Sequence, residues 1–223
     1  YFLTVEIINI IDAGMMEYMQ AFEMQKQLLE KRQSGGEEDT LLIVEHDPVI
    51  TSGIRGNPEN ITVDEKTLKD AGISVYSTDR GGDVTYHGPG QIVGYPVIDL
   101  KKNSLGVKEY IYRLEEVFIS LLEKEYGIKA EREEGKYTGV WVGNTKITAI
   151  GVAIRKWVTM HGFAFNVNTN MDHFRFINPC GLSDRGVTSL EILTGEKQDM
   201  EKLKKLTAKY FCETFGFRGE WHE

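Results

Sequence analysis

Three segments of the chain repeat apolar residues at the spacing of an α-helix. They are residues 14–31, 107–126 and 200–215. Asp12 is a suitable N-cap for the first segment, and the third begins after Asp199. Gly127 and Gly216 follow the second and third segments, where glycine commonly ends a helix. Each segment is therefore predicted to be a helix that packs its apolar face into a core.

Apolar, β-branched runs lie between these helices and predict strands. They are Leu41–Val44, Ile73–Tyr76, Ile92–Leu100, Val140–Val142, a run from Ile147 onward, and Phe163–Val167. Gly94 and Pro96 interrupt the third run, which indicates an edge strand or a bulge. Gly143-Asn144 fits a hairpin turn, and the alternation of the last run predicts a half-buried strand. The predicted fold class is α+β, a mixed, largely antiparallel β-sheet packed by α-helices.

Composition narrows the class of protein. The 223 residues fit a single domain, residues 1–223, because nothing along the chain marks a boundary. A net charge of −8 argues against a nucleic-acid binder held by phosphate contacts. No apolar stretch approaches the roughly 18 residues that span a bilayer, so no membrane partner is expected. Two cysteines are too few for a disulfide scaffold, which favours a reducing compartment: the cytoplasm or, in a eukaryote, an organelle matrix.

The segment Arg80–Gln91, with the sequence RGGDVTYHGPGQ, combines four glycines with a proline, an arginine and a histidine. Glycine allows positive φ and close backbone approach, so this loop could direct N–H groups at a ligand. Arg80 could supply fixed charge there, and His87 a hydrogen bond or a proton. The segment lacks the pattern of a phosphate loop and of a dinucleotide fingerprint. The same composition also fits a purely structural cluster of turns.

Two side chains are candidates for covalent chemistry. Cys180 lies in a turn-forming Asn-Pro-Cys-Gly run, whereas Cys212 falls within the third helix, where an inert buried thiol is expected. Lys146 begins a strand of small and apolar residues. An ammonium about 4 Å from a thiolate contributes up to roughly 4 kcal/mol at an effective dielectric constant of 20. Lowering a thiol pKa from about 8.5 to about 7 takes roughly 2 kcal/mol. Lys146 could therefore activate Cys180, although each residue also has an ordinary structural interpretation.

The histidines raise the question of a metal site. His46, His87, His161 and His173 are scattered along the chain, and no two stand at a close ligand spacing. No metal is expected.

Four separated motifs resemble the lipoyl(octanoyl) transferase family. They are residues 80–91, Lys146–Gly151 (KITAIG), His161–Asn168 (HGFAFNVN) and Asn178–Gly181 (NPCG). An upstream segment, Glu45–Gly53, also resembles the early Glu-His-x-Pro-Val region of that family. Thr-Ser-Gly at 51–53 and Thr148 depart from the usual pattern, which affects the detail of the pocket rather than the pair Cys180 and Lys146.

The resemblance implies a fold shared with biotin and lipoate ligases and an acyltransferase activity. By position in the motifs, Cys180 would carry the octanoyl thioester and Lys146 would tune its thiol. Backbone N–H groups near Cys180 would bind the oxyanion, and Lys146 or His87 would handle the proton. The substrate site would be lined by Arg80, Gly81, Gly82, Asp83, Val84, Thr85, Tyr86, His87, Ala149, Ile150, Gly151, Gly162, Phe163 and Ala164.

The same resemblance implies the partners. Octanoyl-acyl carrier protein would be the donor, and the acceptors would be lipoyl domains of 2-oxoacid dehydrogenases and the glycine cleavage H protein. Thioester exchange is nearly thermoneutral, so no cofactor and no ATP are expected. A monomer is expected.

Other functions compete with this interpretation. An ATP-dependent lipoate ligase would share the fold, the glycine loop and the lysine, but it would need no nucleophilic cysteine. A non-catalytic binder of acyl carrier or lipoyl domains would need the loop but no reactive thiol. A cysteine hydrolase is a third alternative, without a Cys-His family signature in its favour.

Overall fold

The computed structural model describes residues 6–36, 38–133, 137–178 and 185–222. The α-helices in these ranges are α1 (Tyr18–Gln33), α2 (Glu65–Asp70), α3 (Val107–Tyr126), α4 (Leu190–Thr194) and α5 (Met200–Phe215). The strands are β1 (Ile7–Met16), β2 (Asp39–His46), β3 (Val49–Ser52), β4 (Ser74–Ser77), β5 (Val84–His87), β6 (Gln91–Val97), β7 (Glu131–Arg132), β8 (Gly139–Val142), β9 (Thr145–Arg155), β10 (Val158–Asn166), β11 (Gly186–Val187) and β12 (Arg218–His222). Pro58–Asn60 and Met171–Phe176 form short 3-10 helices.

The strands form a large and a small sheet. The large sheet has the order β12-β1-β2-β6-β10-β9-β8-β7, and β11 pairs with the start of β9. β1 is parallel to β2 and β12, and β11 is parallel to β9, whereas the other pairs of this sheet are antiparallel. In the small sheet, β3 lies between parallel β4 and antiparallel β5. This architecture confirms the predicted α+β class with a largely antiparallel sheet.

Helices cover both faces of the large sheet. On one face, α1 packs Leu28 and Leu29 into a cluster with Leu42 of β2. On the other face, α3 and α5 form the larger cluster, in which the ring centroids of Phe118 and Phe163 are 4.8 Å apart. A third cluster lies beneath the small sheet. The main β-layer is therefore buried on two sides, and its strands can hold an interior cavity.

Helices α3 and α5 begin and end where the sequence predicts. Gly127 ends α3 with φ +64°, and Gly216 ends α5 with φ +79°. Asp199 caps α5 by accepting a hydrogen bond from the Lys202 N–H. The predicted start of the first helix at Gly14 is wrong, because β1 continues to Met16. Asp12 accepts the Gly14 N–H within a bulge of that strand, instead of capping a helix.

The burial of three strands differs from the sequence prediction. β6 is fully buried between β2 and β10, although its proline indicated an edge or a bulge. Thr159 makes this possible, because its hydroxyl donates to the Pro96 carbonyl at 2.6 Å and accepts the Ile98 N–H at 2.9 Å. β10 is buried on both faces rather than half-buried, since a helix covers each side. β4, predicted like the buried run at 41–44, is mostly exposed.

Within the described ranges, no helix is long and apolar enough to cross a lipid bilayer.

A buried ion pair joins the end of α1 to the start of β2. The Asp39 carboxylate accepts hydrogen bonds from Arg32 Nε at 2.6 Å, the Asp99 N–H at 2.9 Å and Asn103 Nδ2 at 2.6 Å. The side chains of Arg32 and Asp39 are only 7% and 4% exposed. Removing one member of such a pair leaves the other charge buried without compensation.

We expect Asp39→Ala to lower the free energy of unfolding by about 3–5 kcal/mol, measured by urea denaturation. The control is Glu109→Ala, which removes the exposed pair with Arg113 and should cost less than about 0.5 kcal/mol. Equal effects of the two substitutions would contradict a special contribution of the buried pair.

Candidate active site

A cavity of about 230 Å³ lies where the loop after β4 crosses strands β6, β9 and β10. It brings together most of the site residues predicted from separate motifs. Those that line it are Arg80, Gly81, Gly82, Asp83, Val84, Thr85, His87, Lys146, Ala149, Ile150, Gly151, Gly162, Phe163 and Ala164. The side chains of Ile150 and Phe163 also pack in the core cluster against α3.

Tyr86 is the described residue of the predicted set that does not line this cavity. Its hydroxyl lies 2.8 Å from His173 Nδ1, and its ring packs edge-on against Phe174. The motif is continuous, but residues 84–87 form a strand, in which successive side chains point to opposite faces. Tyr86 therefore shares a face with Val84, and both pack in the core beneath the small sheet, although Val84 also borders the cavity.

Backbone hydrogen bonds hold the glycine loop in place. The N–H groups of residues 53–55 donate to the carbonyls of Asp83, Arg80 and Gly82 at 3.0–3.1 Å. The Arg80 side chain is 7% exposed and donates to the Thr51 carbonyl at 2.7 Å and to the Asp83 carbonyl at 2.8 Å. Through these contacts Arg80 holds the loop in place, whereas the sequence predicted that the Arg80 charge is directed at a ligand.

The loop lies directly against β9. The Gly81 N–H donates to the Val152 carbonyl at 2.9 Å. A Cβ atom placed on Gly151 would be 2.8 Å from the Gly81 carbonyl oxygen, closer than real contacts of that kind. The absence of a side chain at Gly151 thus permits the contact between backbones that forms one wall of the cavity.

His87 is a buried histidine with a defined tautomer. The Gln91 amide nitrogen donates to the Tyr86 carbonyl and to Asn166 Oδ1, so Gln91 Oε1 must accept a hydrogen bond. It lies 2.8 Å from His87 Nδ1, which therefore carries the proton. His87 Nε2, 3.4 Å from Thr51 Oγ1, is left as an acceptor.

Burial keeps three histidines near the cavity neutral. It lowers the pKa of His87 to about 3, and the nearby Arg80 guanidinium acts in the same direction. Burial also lowers the pKa of His46 and of His161. His46 Nδ1 donates to the Met16 carbonyl, and its Nε2 accepts from the Tyr95 hydroxyl at 2.7 Å. A neutral His87 at physiological pH is a hydrogen-bonding group rather than a proton carrier.

His161 lines the cavity in an unusual backbone conformation. It adopts φ +56° within β10, opposite the region of β6 that contains Pro96. Its Nε2 lies 2.9 Å from Asp79 Oδ1, and its N–H donates to Gln25 Oε1. Burial alone would raise the pKa of Asp79, but the hydrogen bonds from His161 and Arg155 and the charge of Arg155 lower it. Such strain within a strand persists only where surrounding contacts hold it.

Several residues that line the cavity lie outside the set predicted from the sequence. They include Tyr18, Arg55, Gln91, Val93, Tyr95, His161 and Asn166. The alternation of side chains along β10 could have identified Asn166, because Asn166 lies on the same face of the strand as Gly162 and Ala164. Tyr18 and Arg55 come from distant segments, and no local pattern identifies them.

Lys146 lies at the end of the cavity near β11. Its Nζ donates to the Thr138 carbonyl at 3.1 Å and stands 4.9 Å from the centre of the Trp141 ring. In the pairing of β11 with β9, Val187 is the direct partner of Lys146.

A second cavity of about 310 Å³ is lined by Lys146 together with Asn178 and Arg185. The predicted nucleophile Cys180 lies outside the described residues, but Asn178 and Arg185 are the described residues on either side of it. The two described residues nearest to Cys180 along the chain on either side thus line the same cavity as Lys146.

Among the described residues, no three His, Cys, Asp or Glu side chains are grouped as metal ligands would be. The absence of a metal remains a prediction.

The buried histidines predict a loss of stability in mild acid. An unfolded histidine binds a proton near pH 6.5, whereas folded His87 resists protonation down to about pH 3. The unfolded chain therefore binds more protons below pH 6.5, and His87 alone should lower the free energy of unfolding by about 1.4 kcal/mol per pH unit.

Urea denaturation at pH 7.5, 6.5 and 5.5 measures this slope. His87→Asn should make it shallower, and substitution of the exposed His222 by Gln should leave it unchanged. Equal slopes for the wild type and H87N would contradict the assignment.

Comparison with known proteins identifies the family. The model of the lipoyl protein ligase A/B catalytic domain matches residues 17–212. An octanoyltransferase of Desulforamulus reducens is 54% identical over 207 residues, which cover 93% of this chain and 90% of that protein. The four motifs therefore indicated the correct family.

Solved structures show the same fold at low sequence identity. A crystal structure of lipoate-protein ligase A bound with ATP superposes with a TM-score of 0.74 at 18% identity, covering 99% of this chain and 90% of that one. Biotin protein ligase from Aquifex aeolicus gives 0.52 at 16% identity, with 93% and 68% covered. The expected likeness to biotin and lipoate ligases is confirmed. The chain belongs to the lipoyl protein ligase A/B catalytic domain family, in which it is similar to octanoyltransferases.

Proposed function

We propose that this chain is an octanoyltransferase that moves an octanoyl group from octanoyl-acyl carrier protein to a lysine of a lipoyl domain. Lipoyl domains of 2-oxoacid dehydrogenases and the glycine cleavage H protein are the proposed acceptors. The observation that carries the proposal is the position of Lys146, at the junction of the glycine-walled cavity and the cavity flanked by Asn178 and Arg185. The name of the relative that is 54% identical supports the same reaction.

The first cavity suits the acyl chain. Gly151, Gly162, Ala149 and Ala164 supply small side chains or none, and the neutral histidines add no charge. Burying an octanoyl chain, at about 0.8 kcal/mol per methylene, contributes roughly 5 kcal/mol to binding. This amount is enough for the cavity to distinguish chain lengths.

The reaction proceeds in two balanced steps. The Cys180 thiolate attacks the carbonyl carbon of the donor thioester, and the carrier thiolate leaves and takes up a proton. The neutral amine of the acceptor lysine then attacks the acyl-cysteine, forming an amide and releasing the Cys180 sulfur, to which the amine proton is transferred. Neither step consumes ATP, because the donor is already an activated thioester.

Lys146 is the proposed group that stabilises the Cys180 thiolate and handles the proton. His87 is a poor alternative, because burial lowers its pKa to about 3 and its ring takes up no second proton at neutral pH. Its Nε2 is already within 3.4 Å of the Thr51 hydroxyl, and its Nδ1–H is bonded to Gln91, so the ring has a fixed orientation. The backbone groups proposed to bind the oxyanion near Cys180 lie outside the described residues.

The central test is acylation without ATP. Incubation with octanoyl-acyl carrier protein should add the mass of one octanoyl group to the wild type and none to Cys180→Ala. The matched control Cys212→Ala should still be acylated, because burial raises the pKa of Cys212 to about 11 and keeps this thiol unreactive. Modification of a lipoyl domain that requires ATP and survives C180A would favour the ligase alternative.

A second test concerns chain length. Ala149→Leu should shorten the acyl chain that fits by about two methylenes, which corresponds to about a fifteenfold loss of kcat/KM for octanoyl relative to hexanoyl donors. Ala153 lies on the same strand but does not line the cavity, so Ala153→Leu should leave this ratio unchanged. An unchanged ratio in A149L would show that the acyl chain binds elsewhere.

A further inference from the structure

Glu115 is a buried carboxylate in a helix face that is otherwise apolar. It lies on α3 next to Leu114 and one turn before Phe118, and it is 5% exposed. Burying a carboxylate is costly unless hydrogen bonds and opposite charges compensate. The compensating contacts of Glu115 therefore indicate what it does.

Those contacts lead to the start of β8. Glu115 Oε1 accepts the Gly139 N–H at 3.0 Å, and Oε2 lies 3.5 Å from Arg132 Nε. Burial raises the pKa of Glu115, while the bond from Gly139 and the charges of Arg132 and Lys146 act in the opposite direction. One oxygen thus holds a backbone group, and the other faces a cation.

The residue before Gly139 holds the amine of Lys146. The Thr138 carbonyl accepts from Lys146 Nζ at 3.1 Å. Gly139 has φ +136°, and a Cβ atom there would be 3.4 Å from both Cδ and Cε of Lys146 and 2.5 Å from the Thr148 carbonyl. The lysine side chain therefore runs along the backbone of Gly139 to reach Thr138.

We propose that Glu115 is a positioning residue for Lys146. By accepting the Gly139 N–H, it fixes the Thr138–Gly139 backbone, and this backbone sets the position of the lysine amine. The proposal rests on the role of Lys146 given above. Glu115 touches no substrate and acts through two adjacent backbone groups. Loss of its acceptor frees the Gly139 N–H and lets the Thr138 carbonyl move away from the amine. Displacements of about 1 Å at a reacting group cost up to about a hundredfold in rate.

The variants separate a positioning role from a structural one. Glu115→Ala removes the acceptor, and Glu115→Gln keeps an amide oxygen that can accept the Gly139 N–H. Glu116→Ala is the matched control, because Glu116 pairs with the same Arg132 but has no bond to Gly139. Leu121→Ala, at a buried position of the same helix, reports the effect of lost stability alone.

The measurement is the single-turnover rate at which Cys180 becomes octanoylated, followed by mass spectrometry. We expect E115A to lose at least about tenfold in rate, with KM for the donor within about twofold of the wild type. E115Q should recover most of the rate, while E116A and L121A should stay near the wild type. If E115A does not fold, Glu115→Asp replaces it, because the side chain is then one methylene too short to reach Gly139.

A double-mutant cycle with Lys146→Ala decides the matter. If Glu115 acts through Lys146, E115A should cause no further loss once Lys146 is alanine. Losses that multiply, or E115A at the wild-type rate, would overturn the positioning role while leaving the proposed function intact. A wild type that forms no octanoyl-cysteine would instead overturn the proposed function, and this inference with it.

Discussion

The contact between the backbones of Gly81 and Gly151 is the constraint on which the site depends. Two segments seventy positions apart meet without side chains between them, joined by the hydrogen bond from the Gly81 N–H to Val152. The hydrogen bonds from residues 53–55 and from Arg80 keep the glycine loop in contact with β9. Because residues 53–55 directly follow β3 and Arg80 donates to Thr51 of β3, the contact also fixes the small sheet against the large one. The wall of the cavity is thus made of backbone whose polar groups are already paired.

The two cavities of the site differ in the residues that line them. Glycines, alanines and the neutral His87 and His161 line one cavity together with Arg55, Arg80 and Asp83, whereas Asp172, Arg175 and Arg185 are among the residues that line the other. In the proposed function, the acyl chain lies in the first cavity and the Cys180 thiolate is stabilised near the second. The interaction between two charges is stronger at a low dielectric constant, so a single ammonium group can lower the pKa of a nearby thiol. Lys146, which lines both cavities, marks the boundary.

Part of this structure could be predicted from local sequence. Helices α3 and α5 follow from apolar periodicity and terminal glycines, which act within a few residues. The central position of β6 could not be predicted, because the side chain that compensates for Pro96 is Thr159, 63 residues further along the chain. Similarly, the glycine loop was identifiable from composition, but the continuous motif concealed the alternation that turns Tyr86 away. Glu115 resembled any charged residue of a helix until its contact with Gly139 was seen.

The left-handed backbone at His161 limits what evolution can place there. Most side chains are sterically disfavoured at φ +56°, β-branched ones most of all, while histidine and asparagine tolerate this region better than others. Glycine would relieve the strain but would lose the contact with Asp79. The backbone conformation and the contact with the Asp79 carboxylate therefore restrict this position to a few residue types. Sequence variation in this strand should be sought at its neighbours, where the backbone imposes no such restriction.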